Sequence, residues 1–430
     1  MQYIIATLGC KVNQYETSAL EYLFAKEGFE IVDFDGFADA YVINTCTVTA
    51  VGDKKSRAVI RRAKKTNPDA VIAVTGCFPQ AFPNDIGLIS DADVITGTKN
   101  RSFLVYAVKT SLLTKEKIIH IEKFSNSETF EPMYTERFPE RTRAYLKIED
   151  GCDRYCSYCI IPYSRGPVRS KPLDDVISQA KTLYQNGYRE IVLTGINLSS
   201  YGKDLKLPFA ESVEKICRAV PDCRIRLGSL EPDLVSDHDI EIFSSVENLC
   251  PQFHLALQSG CDETLKRMRR KYTSEAFAKT VEKIRGRIND PSITTDVMTG
   301  FPGETEEEFE KSVEFVRSVG FLKVHVFPFS RRKGSKAYDM PGQVNRAEKE
   351  RRCSIMTDAS DESRKAFMQT FIGKTVSVLF ESYFKNGMCE GFSENYIPVA
   401  IPSVRPLTGE ILKIKIVSVD GDRCIGEVIK

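Results

Sequence analysis

Cys152, Cys156 and Cys159 stand in a C-x3-C-x2-C run, Gly151-Cys152-Asp153-Arg154-Tyr155-Cys156-Ser157-Tyr158-Cys159, and no other feature restricts the chain as tightly. Three thiols this close in sequence reach one metal centre only if a single loop wraps around it. Asp153, Arg154 and Ser157 between them belong to a loop, not a core. The run follows a β-type stretch, Tyr145–Ile148, so the loop sits at a strand end. The number of thiols carries the chemistry. Structural zinc closes with four ligands, and a ferredoxin-type cube is held by four cysteines. Three thiolates on a four-iron cube leave one iron open to a further ligand, and Tyr158 is placed to shield the cluster edge. A zinc loop that borrows a distant fourth ligand is the competing reading.

Composition narrows the choice. The 430 residues include 13 cysteines, an odd number in a chain far too long to need disulfides for stability. In a reducing compartment such cysteines are buried hydrophobes, reactive thiols or metal ligands. Only four histidines occur, His120, His238, His254 and His325, none paired at ligand spacing. Any metal centre is therefore expected to be sulfur-ligated, which means zinc or iron–sulfur. Lys and Arg number 60 against 59 Asp and Glu, which excludes a polycationic nucleic-acid coat and an acidic disordered tail. Residues Met1 to Cys10 lack a basic n-region, and no apolar run reaches the ~18 residues of a membrane span. A cytoplasmic protein without membrane contact is expected.

Residues 1–110 alternate β-type runs (Tyr3–Ala6, Ala40–Ile43, Ala70–Val74, Asp93–Ile95) with helical stretches (Glu16–Lys26, Lys54–Lys65), the pattern of an open parallel α/β sheet. Residues 111–138 are charged and Ser/Thr-rich, as in Ser125-Asn126-Ser127-Glu128-Thr129, and read as a linker. From 139 to 370 six further strand–helix units follow, with strands expected at Tyr145–Ile148, Ile191–Leu193, Arg224–Leu227, His254–Leu257, Ile293–Val297 and Val324–Phe327. Six such units suggest a partial (β/α)6 barrel. Residues 371–430 switch to period two, Ile414 and Ile416 alternating with Lys413 and Lys415, and read as a small antiparallel β-barrel.

The three-cysteine loop at the first strand of a parallel barrel resembles the signature of the radical S-adenosylmethionine (SAM) superfamily. That resemblance implies a cluster whose open iron is chelated by the amino and carboxylate groups of SAM. One-electron reduction then yields a 5′-deoxyadenosyl radical able to attack an unactivated C–H bond. Barrel sites gather at the carboxyl ends of the strands, so SAM contacts are expected there: Thr194, Gly195 and Asn197, Ser229 and Glu231, Gln258, Asp296, and Phe327 against the adenine, with Tyr158 at the cluster.

Cys10, Cys46 and Cys77 share no spacing motif, but each follows an expected strand by two to four residues. Consecutive strand ends of a parallel sheet meet on one edge, so three remote thiols can converge; three unconnected, half-buried cysteines is the alternative. Leu8-Gly9-Cys10-Lys11-Val12-Asn13-Gln14-Tyr15-Glu16, Asn44-Thr45-Cys46-Thr47-Val48-Thr49 and Thr75-Gly76-Cys77 resemble the N-terminal domain of the methylthiotransferases, and the likeness extends over essentially the whole chain, with a C-terminal barrel of the TRAM type. It implies two [4Fe-4S] clusters, one on each cysteine trio, and a C–H to C–SCH3 conversion that consumes one SAM as methyl donor and a second as radical source.

Family substrates are modified adenosines at tRNA position 37, in the anticodon stem-loop, or an aspartate of ribosomal protein S12. Ile191 to Leu198, His325 to Ser330 and Ser393-Glu394-Asn395-Tyr396 are most similar to the class acting on N6-threonylcarbamoyladenosine; S12 and isopentenyladenosine remain alternatives, as does an iron–sulfur RNA-binding regulator without turnover. Neither the sulfur donor nor the electron donor is legible. Basic runs fit RNA phosphates: Lys54 to Lys65, Lys266-Arg267 with Arg269-Arg270-Lys271, and Arg331 to Lys336. From Phe371 onward the charges cancel, so RNA contact there would use shape and the aromatics Phe392 and Tyr396. Cys217, Cys223, Cys250, Cys261, Cys353, Cys389 and Cys424 share no spacing and read as structural.

Overall fold

The computed structural model describes every residue except 34, 35, 126, 139, 140 and 430. Asn126 in the expected linker and residue 139 at the expected start of the core lie outside the described residues, as does Lys430.

The N-terminal sheet is wholly parallel. Its strands are β1 (Gln2–Thr7), β2 (Glu30–Ile31), β3 (Ala40–Thr45), β4 (Val71–Gly76), β5 (Val94–Thr96) and β6 (Ile118–His120), in spatial order β2-β1-β3-β4-β5-β6. Every residue of β3 and β4 is buried, as strands covered on both faces require. The covering helices are α1 (Lys11–Lys26), α2 (Ala50–Thr66), the five-residue α3 (Cys77–Ala81) and α4 (Phe103–Thr114). Thr49 caps α2 by accepting a hydrogen bond from the Gly52 N–H. Both the end of α4 and β6 fall in the segment read as a linker. Leu104, Val105, Ala107 and Val108 give α4 a buried face, and β6 adds a sixth strand to the sheet.

The central strands are β7 (Ala144–Lys147), the short pair β8 (Glu149–Asp150) and β9 (Arg169–Ser170), β10 (Glu190–Thr194), β11 (Arg224–Leu227), β12 (Ser229–Leu230), β13 (Gln252–Leu255), β14 (Ser292–Thr299) and β15 (Lys323–Pro328). β11 and β12 are one strand broken at Gly228. Taken so, six parallel strands follow one another in chain order as two ladders, β7-β10-β11 and β12-β13-β14-β15. Among the described residues no ladder joins β15 to β7, so the barrel is open along one side. The five C-terminal strands β16 (Thr375–Tyr383), β17 (Met388–Ser393), β18 (Pro398–Pro402), β19 (Ile411–Asp420) and β20 (Arg423–Val428) close into a barrel of order β16-β17-β18-β20-β19. Its pairs are antiparallel as expected except β18 with β20, which run parallel.

The N-terminal sheet is locked to the open barrel by buried charge. A short helix, α5 (Ile161–Arg165), follows the three-cysteine loop. Arg165 at its end donates to Glu16 Oε2 (3.0 Å) and to Asn13 Oδ1 (2.5 Å) on α1. Lys147 of β7 reaches Glu16 Oε1 at 2.7 Å, and Arg101 reaches Glu16 Oε2 at 2.7 Å. Glu16 and Arg165 are both 0% exposed. Burial alone would raise the Glu16 pKa, but Arg101, Arg165 and Lys147 hold it below the usual carboxylate range. Nearby, Tyr15 Oη donates to the Met133 carbonyl (2.7 Å).

Removing one member of a buried ion network leaves the others unpaired, at a cost of about 3–5 kcal/mol. Glu16→Gln is therefore expected to bring the first urea unfolding transition to a markedly lower concentration, followed by fluorescence, and to expose the α1 amides in hydrogen exchange.

Candidate functional site

The three-cysteine loop is shaped by its backbone. Gly151 has φ +88°, and an added Cβ would lie 1.9 Å from the Pro167 carbonyl oxygen, so only glycine fits. Cys152 N–H donates to the Gly166 carbonyl (3.0 Å) and Ser157 N–H to the Met268 carbonyl (3.0 Å), which folds the loop over the strand ends. Two donors face the sulfurs: Ile161 N–H to Cys159 Sγ (3.4 Å) and the Arg270 guanidinium to Cys156 Sγ (3.3 Å). Burial pushes the Cys159 thiol up to about 12, with Cys156 beside it. Cys152 is raised too, mainly by burial, with Cys159 and Cys156 adding to it. These three sulfurs thus form one electrostatic group, and filling it with metal would release protons.

Cys10, Cys46 and Cys77 converge as their strand positions imply. Thr7 pairs with Asn44 and Thr45 with Gly76, so the three chain segments leave one edge of the sheet side by side. Gly9, at φ +105°, lies so close to Cys46 that an added Cβ would sit 2.8 Å from its Sγ. Burial pushes the Cys46 thiol up to about 12, and Cys77 and Cys10 raise it further. The Arg165 guanidinium opposes that effect on both Cys10 and Cys46, and it faces Cys77 as well. Each trio therefore has a buried arginine at its sulfurs, and α5 touches both: Ile161 at Cys159, Arg165 at the N-terminal set. Neither arginine is marked by spacing, because their acidic partners come from other elements.

A cavity of about 1000 Å³ opens where the three domains meet. Cys10 and Lys11 contribute from the N-terminal sheet, and Phe392 and Tyr396 from the C-terminal barrel. Of the expected SAM contacts, Thr194, Gly195, Ser229, Asp296 and Phe327 line it. Asn197, Glu231, Gln258 and Tyr158 are not on its wall. Asn197 Nδ2 donates to Ser200 Oγ (2.8 Å) while its N–H donates to Glu149. Glu231 is bound by Arg270, with Arg154 at 3.5 Å. Gln258, at φ +68°, donates its N–H to the Asp296 carbonyl (2.8 Å). Tyr158 packs on Met268, Phe301 and Phe329.

Midway along the strands lies a group that sequence spacing could not reveal. His254 Nε2 is 3.3 Å from Asp296 Oδ2, and its Nδ1 is 3.0 Å from Thr294 Oγ1. His325 completes the set, with ligand atoms of all three residues within 4.8 Å of one another. Residues on β13, β14 and β15 meet here across parallel pairings, which brings together histidines that are not paired in sequence. At the far wall Phe392 and Tyr396 stack (4.6 Å, 17°), backed by Arg143 at 5.1 Å from both rings and by Arg226 at 4.8 Å from Tyr396. In the basic run 266–271, Lys266, Arg269 and Lys271 are exposed, while two arginines are engaged within the protein. Arg267 is bound to Glu308, and Arg270 to Glu231 and Cys156. Lys54, Lys55, Arg61 and Lys65 on α2 are exposed.

The sequence model of the Radical SAM superfamily matches residues 146–316, and that described as Uncharacterized protein family UPF0004 matches residues 2–97. The threonylcarbamoyladenosine tRNA methylthiotransferase MtaB of Bacillus subtilis (strain 168) is 40% identical over 95% of this chain and 92% of its own. The chain belongs to the radical SAM methylthiotransferases. The MtaB of Thermotoga maritima is 37% identical over 91% of this chain and 89% of its own. The tRNA-2-methylthio-N(6)-dimethylallyladenosine synthase of Finegoldia magna is 31% identical over 99% and 94%. Among solved structures, the radical SAM methyltransferase TsrM of Kitasatospora setae, with cobalamin and a [4Fe-4S] cluster bound, shares the fold at 13% identity (TM-score 0.58, covering 78% of this chain and 77% of that one). As a member of this family the protein is an enzyme that binds iron–sulfur and SAM and transfers sulfur-containing groups. Among the described residues no helix is long and apolar enough to cross a membrane.

Arg226 ties the C-terminal barrel to this site, bonding Glu190 at 2.6 Å and the Glu394 carbonyl at 3.0 Å. Arg226→Met is expected to lose about 1.5–3 kcal/mol, the range for hydrogen bonds to a charged group. Limited proteolysis followed by mass spectrometry should then release the segment after Gln369 faster than from wild type.

Proposed function

We propose that this enzyme inserts a methylthio group at C2 of N6-threonylcarbamoyladenosine at position 37, in the anticodon stem-loop of tRNA, in the cytoplasm. The observation that carries this reading is one cavity lined both by Cys10 of the N-terminal trio and by Ile161, whose N–H donates to Cys159 of the barrel trio, in a chain 40% identical to a relative named for that reaction. Cys152, Cys156 and Cys159 would hold one [4Fe-4S] cluster and Cys10, Cys46 and Cys77 a second. The donor sets fit: each offers three sulfurs, and each has a buried guanidinium to offset the charge of a thiolate-bound cluster. When bound, one cluster supplies the electron that cleaves SAM and the other carries the sulfur that becomes methylated.

The chain's own residues bind and orient. Thr194, Gly195 and Ser229 offer polar and backbone groups to SAM at the strand ends, and exposed Phe327 offers its ring to the adenine. Glu231 acts from behind the wall by fixing Arg270 against Cys156. Asn197 holds the loop that carries Gly195, and Gln258 bonds the β14 backbone at Asp296. Tyr158 packs beneath the barrel trio and excludes water. The Phe392–Tyr396 stack is a platform for an unstacked base, and the exposed α2 cations can meet phosphates.

Iron analysis after anaerobic reconstitution should give about eight irons per chain, on the four-iron reading of each trio, and about half that for Cys46→Ala or Cys156→Ala. Cys156→Ala should abolish 5′-deoxyadenosine formation, whereas Cys46→Ala should retain it and lose methylthiolation. Phe392→Ala is expected to weaken tRNA binding by about 1–3 kcal/mol, the worth of one stacked base. Mass spectrometry of tRNA nucleosides from a deletion strain decides the substrate. Loss of the methylthio group from threonylcarbamoyladenosine supports the proposal; loss from isopentenyladenosine or from ribosomal protein S12 instead refutes it.

A further inference from the structure

We propose that Lys11 and His325 form a carboxylate receptor in the central cavity, which reads the threonyl carboxylate of the substrate's N6 substituent. The proposal rests on the substrate reading above and names the groups that would enforce it.

Lys11 is the first residue of α1, next to Cys10, and its side chain stands on the cavity wall. Among the described residues it makes no hydrogen bond and no ion pair. Four arginines around the site are bound, Arg165 to Glu16, Arg226 to Glu190, Arg270 to Glu231 and Arg143 to Glu381 at 2.6 Å, whereas Lys323 on the same wall has, like Lys11, no ion pair among the described residues. Arg143 and Arg226 lie near Lys11, as do Tyr396, Glu190 and the Asp296 carboxylate. Lys11 is exposed at the cavity wall, so its ammonium is open to an anion that enters there.

His325 stands in the same layer and likewise makes no hydrogen bond among the described residues, although it lines the cavity and can donate from its ring. His254 is fixed between Thr294 and Asp296, and its ring lies 5.8 Å from that of His325. The spacing of His254, Asp296 and His325 would suit a divalent cation, but Lys11 already faces Asp296 and His325. A second cation at Asp296 would meet that ammonium, whereas an anion at Lys11 and His325 meets the ammonium's attraction, opposed by the Asp296 carboxylate beside His325. Threonylcarbamoyl carries a carboxylate at the end of the N6 substituent; dimethylallyl carries none. An apolar substituent would therefore dehydrate Lys11 and His325 without giving them a partner, the kind of mismatch that discriminates most strongly between substrates.

The methionine carboxylate of SAM has the same chemistry, so the test varies only the RNA. A synthetic anticodon stem-loop carries N6-threonylcarbamoyladenosine either as the free acid or as its methyl ester, and each is assayed with the reconstituted full chain. Wild type should favour the acid in kcat/KM by about tenfold or more, the loss expected for one charge-assisted hydrogen bond. Lys11→Met should abolish that preference and His325→Phe should reduce it, while Lys11→Arg should keep it. Iron content is measured on every variant, and the acid-to-ester ratio is unaffected by partial cluster loading. Equal use of acid and ester by wild type overturns the receptor while leaving the substrate reading intact. An unchanged ratio in Lys11→Met, with both rates lowered alike, overturns it too and assigns Lys11 to SAM or to the fold. Inactivity on the acid together with activity on an isopentenyladenosine stem-loop overturns both readings.

Discussion

Glu16 is the point on which the geometry turns. A single carboxylate on α1 gathers Arg101 from the N-terminal domain, Lys147 from the first barrel strand and Arg165 from the helix after the barrel's cysteine loop. Taking these charges out of water is expensive, and only their mutual arrangement makes it tolerable. The network thus admits one relative placement of sheet and barrel. Because Cys10 precedes α1 and Cys159 precedes α5, fixing those helices also fixes the two thiol groups relative to each other.

The same economy appears at the sulfurs. Burial raises the thiols, which favours the protonated form that binds no metal. Each trio then needs a nearby positive charge, and each receives it from outside its own loop: Arg165 for the N-terminal set, Arg270 for the barrel set. The arginine that serves the N-terminal sulfurs belongs to the barrel. The positive charge beside Cys10, Cys46 and Cys77 is consequently in place only when sheet and barrel are docked.

Much of this was legible in the sequence because parallel sheets obey strict rules. Strand alternation located the sheet and the barrel, and the edge rule brought Cys10, Cys46 and Cys77 together without any spacing motif. Other parts were hidden for physical reasons. The His254, Asp296 and His325 group sits at inward positions in mid-strand, where nothing local distinguishes a site from packing. Within the basic run 266–271, the pairing of Arg267 and Arg270 was hidden because their acids, Glu308 and Glu231, lie far away in the chain. Asn197, Glu231 and Gln258 do lie near strand ends, but neighbouring groups have already claimed them. The apolar stripe of α4 was missed beneath the charged residues that follow it.

The five-residue α5 has a geometric consequence. At 1.5 Å per residue it is a strut only about 7–8 Å long, anchored at one end beside Cys159 and at the other to Glu16 and Asn13. So short a connector offers little slack for a clamshell motion that would let the enzyme swallow a folded RNA. The gap between the two three-thiol groups is set when the chain folds. It therefore falls to the RNA to deform, swinging one nucleotide out of its stack and into a mouth that stays still.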